Sequence, residues 1–193
     1  MSGEDYIKNT LTKRHHRGRR PVYFLIENNS GLSGEPCHMI QNGLKSLIAS
    51  LLQEPNAIDD ICFSVITYGS EPNQIIPLGF LNGINTQELT LINGSDYLNN
   101  LGAAIIYLSN CLEKEIILKS SRGYVFNDEI PLIFIWNSHK SDDDLNKSID
   151  ILTNQLECLI ISCMVSYGPI SDYGKDVINE SKVFSKMGII TQN

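Results

Sequence analysis

Four short apolar runs constrain the fold of this 193-residue chain more than any other feature of its sequence. Each run is too short for a buried helix, is rich in β-branched or aromatic side chains, and is bounded by polar residues. Such nearly continuous apolar runs are typical of strands that are buried on both faces of a parallel sheet. The predicted strands are Val22–Ile26, Ile61–Thr67, Pro131–Trp136 and Leu159–Ser166.

Helical patterns separate these strands. Apolar residues recur at helical spacing from Met39 to Leu52, and Pro36 lies just before them, where the start of a helix accepts proline. Leu98–Leu112 and residues 143–156 are the other two predicted helices. Strands that alternate with helices indicate a mostly parallel sheet with helices on both faces.

Two further strands complete the predicted sheet. Gln74–Leu78 is predicted as a short antiparallel edge strand, paired through a turn at Gly69–Asn73, because Pro77 removes one backbone donor. A short helix and a strand around Val183–Ile189 are expected near the end of the sequence. The predicted fold class is therefore α/β and Rossmann-like, with about six strands, one of them antiparallel at the edge.

The net charge of −7 is unevenly distributed. Residues 1–20 carry six basic and two acidic side chains (+4), whereas residues 21–193 carry nine basic and twenty acidic ones (−11). We expect residues 1–20 to be a flexible basic arm and residues 21–193 to form one domain. The acidic body argues against nucleic acid as its main partner. The stretch Lys13–Arg20 is either a solvated arm or a tether to nucleic acid or a membrane.

The five cysteines form no Cys-x-x-Cys pair and no Cys/His ligand spacing. Their odd number, mostly inside apolar runs, predicts buried thiols in a reducing compartment. Residues 1–20 lack the apolar segment of a secretory signal, and no apolar run approaches the roughly 18 residues that span a bilayer. We therefore expect a cytoplasmic location.

The loop that follows the first predicted strand is polar and rich in glycine. Glu27–Pro36 contains neither Gly-x-Gly-x-x-Gly nor a closing Gly-Lys-Ser/Thr, so nucleotide binding of those two kinds is not expected. Ligands of open α/β sheets bind beyond the carboxyl ends of the strands. The loops after Ile26 and Trp136 and the loop before Leu98 are therefore the candidate site.

Residues 22–36, Val-Tyr-Phe-Leu-Ile-Glu-Asn-Asn-Ser-Gly-Leu-Ser-Gly-Glu-Pro, resemble the first strand and metal loop of bacterial von Willebrand factor A (vWA) domains of the tellurium-resistance TerY type. In that family the strand ends in Asp-x-Ser-x-Ser, followed by Met-Ser-Gly-Glu-Pro and a helix. The resemblance extends over residues 21–145 and implies a vWA fold in bacterial stress response, tellurite resistance or phage defence. Its further segments are Asn42–Leu44, Leu51–Pro55, Phe63–Tyr68, Ile76–Leu78, Leu101–Ile105 and Pro131–Ile135.

The sequence departs from this family at its metal-ion-dependent adhesion site (MIDAS). The resemblance places Glu27 at the Asp position and Asn29 and Gly31 at the two Ser positions. Asn99 falls at the Thr position, and Asn137, followed by Ser138, falls at the Asp of the third loop. All five ligand positions are changed.

These changes weaken a Mg²⁺ site. The formal charge of the ligand set falls from −2 to −1, and Mg²⁺ relies on carboxylates in a nearly ideal octahedron. Glu27 also extends its carboxylate by about 1.5 Å relative to aspartate. We therefore expect no cofactor. The alternative is a relaxed cation site that takes Mg²⁺, Mn²⁺ or Ca²⁺ through Glu27, Asn29, Asn99 and Asn137.

The expected function is non-enzymatic recognition of another protein, with no small-molecule substrate. Trp136 is expected either to wall off the former metal cavity or to anchor the partner. Asp142–Asp144 is predicted as a helix N-terminus rather than a metal cluster. A hydrolase that uses Ser33 and His38 is a further hypothesis, which requires those two side chains in contact. The predicted binding residues are Glu27, Asn28, Asn29, Gly31, Ser33, Asn99, Trp136, Asn137, Ser138 and His139.

Overall fold

The computed structural model describes residues 18–91, 98–117, 129–137, 150–155, 157–167 and 187–192. Its centre is a six-stranded sheet with the order β3-β2-β1-β4-β5-β6. All neighbouring strands are parallel except β2 and β3, so the predicted antiparallel edge strand is confirmed. The strands are β1 (Arg20–Glu27), β2 (Ile61–Tyr68), β3 (Asn73–Phe80), β4 (Leu132–Asn137), β5 (Leu159–Tyr167) and β6 (Met187–Gln192).

The order of the strands determines where the loops meet. The chain moves outward from β1 to β2 and β3, and then returns to the other side of β1 as β4. The strand order therefore reverses between β1 and β4, where open α/β sheets leave a crevice at the carboxyl ends of their strands. Glu27 ends β1, Tyr68 ends β2 and Asn137 ends β4 at this edge.

The described helices are α1 (Glu35–Leu51), α2 (Pro55–Asp60) and α3 (Leu101–Leu112), and α3 continues as a π-helical turn over Glu113–Ile117. Helix α1 has Pro36 in its first turn, as the sequence predicts. The predicted start of α3 at Leu98 is wrong by three residues. The reason is a helix cap, since Asn100 Oδ1 accepts the backbone N–H of Ala103 at 3.0 Å. The sequence analysis did not predict α2.

Two predictions near the end of the chain are tested only in part. Of the predicted helix 143–156, residues 143–149 and 156 lie outside the described residues, and Ile151–Gln155 form a π-helical turn. Of the predicted last strand Val183–Ile189, residues 183–186 lie outside the described residues, and the strand continues past Ile189 to Gln192. The other predicted strands lie within the observed ones, except that Pro131 precedes β4 by one residue.

Side chains on the two faces of the sheet form two apolar cores. Val22, Phe24 and Ile26 of β1 pack on the face that α1 covers, here called the α1 face. Tyr23 and Leu25 pack on the opposite face with α3, here called the α3 face. This alternation is the period of two that a strand imposes on its side chains.

The half-buried carboxylate of Glu115 joins three elements on the α3 face. Glu115, in the π-helical turn, accepts the hydroxyl proton of Tyr23 at 2.8 Å and the backbone N–H of Leu78 at 3.3 Å. Gln74 Nε2 also donates to the Glu115 carboxylate, at 3.2 Å. The centre of the sheet, its edge strand β3 and the end of α3 are thus connected through one side chain.

The four cysteines with described side chains, Cys37, Cys62, Cys111 and Cys158, are buried and form no disulfide, as the sequence predicts for them. Burial raises the pKa of the Cys158 thiol to about 12. Burial and the charge of Glu115 raise the pKa of Cys111 to about 11. Among the described residues, no helix is long and apolar enough to cross a membrane.

The raised thiol pKa predicts a loss of stability in alkali. The unfolded Cys158 thiol ionises near its ordinary pKa of 9.0, whereas the folded thiol keeps its proton until about pH 12. The unfolded state therefore binds fewer protons above pH 9, and the free energy of unfolding falls as the pH rises. We expect this decline, measured by urea denaturation between pH 8 and 10, to be shallower in Cys158→Ala. The exposed-site control Ser50→Ala should keep the wild-type slope, and an equal slope in all three proteins would contradict the prediction.

Candidate functional site

Three loops come together at the carboxyl ends of β1, β2 and β4. The loop after β1 is joined to β2 by the Asn28 backbone N–H, which donates to the Tyr68 carbonyl at 2.6 Å. The loop before α3 is joined to the end of β2 by the Asn100 N–H, which donates to the Gly69 carbonyl at 3.1 Å. Asn137 provides the third position at the end of β4. We call this surface the loop face.

Four polar side chains of the loop face are almost fully buried, and they occupy four of the five predicted ligand positions. Glu27, Asn29, Asn99 and Asn137 are at most 8% exposed. Buried polar groups are retained in proteins when hydrogen bonds compensate for the loss of water. These four side chains lie at the same edge of the sheet, and their hydrogen bonds decide what they can do.

The Asn29 side-chain amide bridges two of the loops. Its Nδ2 atom donates to Glu27 Oε1 at 2.6 Å and to the carbonyl of Leu98 at 3.2 Å. A carbonyl oxygen can only accept, so the atom between the two oxygens must be the NH₂ group, whose two protons are then both used. The bond to an ionised carboxylate is the stronger kind of hydrogen bond.

Other oxygens of the loop face are buried as well. Ser30 Oγ, Asn99 Oδ1 and Asn137 Oδ1 receive no hydrogen bond within the described part of the chain, although both asparagines make other contacts. Glu27 supplies the one formal charge among these side chains. Among the described residues, several buried oxygens thus lie around the Glu27 carboxylate at this edge of the sheet.

This arrangement does not fit an octahedral Mg²⁺ ion. The Glu27 oxygen lies in direct hydrogen-bond contact with a nitrogen of Asn29, at a distance that leaves no room for an ion between them. Asn29 directs an N–H rather than an oxygen into the space between the loops. Mg²⁺ requires oxygen ligands at about 2.0–2.1 Å in a nearly ideal geometry. Among the described residues, no group of three His, Cys, Asp or Glu side chains could hold a metal ion.

Leu98 is a residue of the loop face that the sequence analysis missed. Its carbonyl accepts from Asn29, and its side chain is 56% exposed. The pattern assigned Leu98 to the first turn of a helix, where an apolar side chain is expected to be buried. The sequence does contain a sign that Leu98 lies in the loop, because Asn99-Asn100 follows it directly. An Asn that caps α3 leaves the residues before it outside the helix.

The Trp136 side chain lies on the α1 face of the sheet. Its side chain is half-buried and packs edge-on against Phe24 on the α1 face, with ring centroids 5.5 Å apart. Its backbone carbonyl accepts the hydroxyl proton of Tyr68 at 3.2 Å, a contact at the carboxyl edge that the sequence analysis did not foresee. The Trp136 ring therefore belongs to the edge of the α1-face core.

The other predicted residues are placed as follows. Gly31 lies in a 3-10 turn, Ser30–Leu32. The exposed Ser33 hydroxyl donates to the Ser30 carbonyl at 2.9 Å, and His38 is exposed on α1, so the described contacts do not provide the hydrolase pair. Ser138, His139, Asp142–Asp144 and Lys13–Arg17 lie outside the described residues.

No family model matches this sequence, and no curated protein matches it. Solved structures do match. Proximal thread matrix protein 1 from the mussel byssus has a TM-score of 0.59 and 13% identity, over 91% of this chain and 43% of its own. The same protein with a zinc occupied MIDAS motif has a TM-score of 0.58 and 12% identity, over 91% and 44%. The VWA domain of SpRpn10 has a TM-score of 0.57 and 13% identity, over 91% and 89%.

The protein has the von Willebrand factor A fold. The strand order and the antiparallel edge strand agree with this fold. This chain spans less than half of the mussel protein and most of the SpRpn10 domain. At 12–13% identity, the likeness shows the fold alone. The site must therefore be judged from its own residues.

The Asn29 bridge predicts a specific response to substitution. Asn29→Asp replaces the donor with a carboxylate that repels Glu27 and leaves the Leu98 carbonyl without its donor. Each buried group that loses its partner costs about 1–3 kcal/mol, so the thermal midpoint should fall. Because Asn29→Asp presents oxygens alone, millimolar Ca²⁺ or Mg²⁺ should recover part of the lost stability.

The matched control is Asn29→Leu, which also removes the donor but adds no oxygen. We expect a similar loss of stability without recovery by either ion, measured by differential scanning calorimetry. If Asn29→Asp were as stable as the wild type in EDTA, the bridge would not hold the loops.

Proposed function

We propose that this vWA-fold domain binds another protein through its loop face, without a metal ion and without catalysis. The observation that carries the proposal is the Asn29 amide, whose two donated hydrogen bonds join Glu27 to the loop before α3. The loops are therefore held in place by the chain itself. A preorganised surface of this kind loses less conformational entropy when it binds a partner.

The loop face also contains an apolar contact point. Leu98 extends from the rim next to the buried polar cluster, and Asn29 fixes its backbone. A few apolar anchors, surrounded by polar groups, carry most of the binding energy of protein interfaces. We propose Leu98 as this anchor, with Asn28 and the predicted residues Ser138 and His139 at the polar rim.

The biological setting is proposed from the resemblance of residues 22–36 to TerY-type vWA domains. It points to a cytoplasmic role in bacterial stress response, tellurite resistance or phage defence. The structural neighbours support a protein-interaction domain at the level of the fold, and this finer assignment rests on the sequence resemblance.

A relaxed cation site is the second candidate function. It is favoured by the number of oxygens that the three loops bury together around Glu27. In this alternative an ion would have to displace the Asn29 amide from the carboxylate. Metal binding and the hydrogen bond between Asn29 and Glu27 are therefore mutually exclusive.

A tether through the basic stretch Lys13–Arg20 is the third candidate. Arg19 donates to the Ile58 carbonyl at 2.9 Å and lies 4.3 Å from the centroid of the Phe80 ring. Arg20 forms a salt bridge with Glu129 at 2.7 Å. These two cations are engaged by the fold itself, at the opposite edge of the sheet from the loop face.

Thermal melts separate the first two candidates. An ion at 100 times its Kd would stabilise the native state by about 2.7 kcal/mol, a shift of several degrees for a domain of this size. We expect the same midpoint in EDTA and in millimolar Mg²⁺, Mn²⁺ or Ca²⁺. An ion-dependent shift that is lost in Glu27→Gln would establish the cation site instead.

The role of Leu98 in recognition has its own test. Leu98→Asp should abolish capture of the partner from a lysate of the source organism, in EDTA as well as in Mg²⁺. Ile106→Asp is the control, since Ile106 is 52% exposed on α3 and receives the same charge. Both variants should keep the wild-type melting temperature. Equal capture by the two variants would exclude Leu98 as an anchor.

A further inference from the structure

The two faces of β4 are covered unequally. Ile133 and Ile135 point to the α3 face and are 0% exposed. Leu132, Phe134 and Trp136 alternate with them on the α1 face, and all three are only half-buried. Helix α1 thus covers β1 and β2 well and leaves the adjoining part of this face partly open to solvent.

The next strand extends this open area. Leu132 pairs with Leu159 of β5, and Phe134 pairs with Ile161, so these side chains share one face. Leu159 is 44% exposed and Ile161 is half-buried. We call Leu132, Phe134, Trp136, Leu159 and Ile161 the open patch. A contiguous apolar area on a sheet usually marks a surface that something else covers.

The described segments that lead into β4 and β5 pack on the other face. Helix α3, which lies between β3 and β4 in the chain, is part of the α3-face core. Leu152, just before β5, packs in the same core with Cys158 and Ile160. These described segments therefore lie on the face opposite the open patch.

Residues 1–17 enter the fold beside the open patch. They join the described chain at Gly18, at the amino end of β1, and β1 is the direct neighbour of β4. Seventeen residues span about 25 Å even as a helix, and the six residues of β4 span about 20 Å. The segment is therefore long enough to lie along the whole of β4.

The charge and the apolar residues of residues 1–17 suit a position over the open patch. They carry four basic and two acidic side chains, whereas residues 21–193 have a net charge of −11. Tyr6, Ile7 and Leu11 are spaced so that a helix would place them on one side. One side of the segment thus suits an apolar surface, and its charge suits an acidic protein.

We propose that residues 1–17 pack over the open patch, with Ile7 and Leu11 against Phe134 and Trp136. The N-terminal segment is then a cover for the sheet rather than a tether to nucleic acid or a membrane. This interaction is independent of the loop face, because it uses the side chains of one sheet face and needs neither Leu98 nor the Asn29 bridge.

Trp136 reports directly on this contact because it is the only tryptophan of the chain. In the full-length protein, Ile7→Asp combined with Leu11→Asp should shift the Trp136 emission to longer wavelength and increase its quenching by acrylamide. Asn9→Asp combined with Thr12→Asp adds the same charge on other positions and should leave both signals unchanged. Far-UV circular dichroism and thermal melts establish that both variants remain folded.

Three outcomes would overturn the proposal. Unchanged emission and quenching in the Ile7/Leu11 variant would show that the segment does not cover Trp136. Equal changes in both double variants would assign the effect to charge alone. A wild-type signal that depends on protein concentration, with a matching change in mass by light scattering, would show that a second copy covers the patch. None of these results bears on metal binding or on partner capture through Leu98.

Discussion

The loop face depends on one hydrogen-bonded amide. Buried polar side chains from the loop after β1, the loop before α3 and the end of β4 lie at the carboxyl edge of the sheet. Because water does not reach them, their hydrogen-bond partners must come from the protein. The Asn29 amide donates to the carboxylate of Glu27 in its own loop and to the Leu98 carbonyl in the loop before α3. Without these two bonds the Glu27 carboxylate and the Leu98 carbonyl would each lose a hydrogen bond, and the direct link between the two loops would be lost.

An amide and a metal ion connect loops in different ways. A divalent ion attracts oxygens from several directions and leaves a coordination position that a partner's carboxylate can fill. An NH₂ group has two directed protons, and in this protein both are already used. The Asn29 amide therefore joins two acceptors of this chain, whereas a metal ion can take a further oxygen from a partner.

The strands of the sheet could be predicted because the features that mark a strand lie within a few consecutive residues. Each apolar run is long enough for one strand, and Pro77 marks the edge strand by removing a backbone donor. The start of α3 was misplaced because an Asn cap outweighs apolar periodicity. The changes at the family's ligand positions could be seen residue by residue, but the bond from Asn29 to Glu27 could not, since it depends on side-chain positions that the sequence does not show. The partial exposure of Phe134 could not be predicted from the sequence either, because an apolar run does not show which face of the sheet lacks a covering helix.

The carboxylate of Glu115 anchors the edge strand β3 to the rest of the sheet. An edge strand has unpaired backbone groups that invite other chains to pair with it. Here β3 is joined through Gln74 and Leu78 to Glu115, and through Glu115 to the central Tyr23. To peel β3 away, the molecule would have to break hydrogen bonds to a carboxylate that also holds the buried Tyr23. The edge strand therefore belongs to the same cooperative folding unit as the centre of the sheet, and its local opening is suppressed.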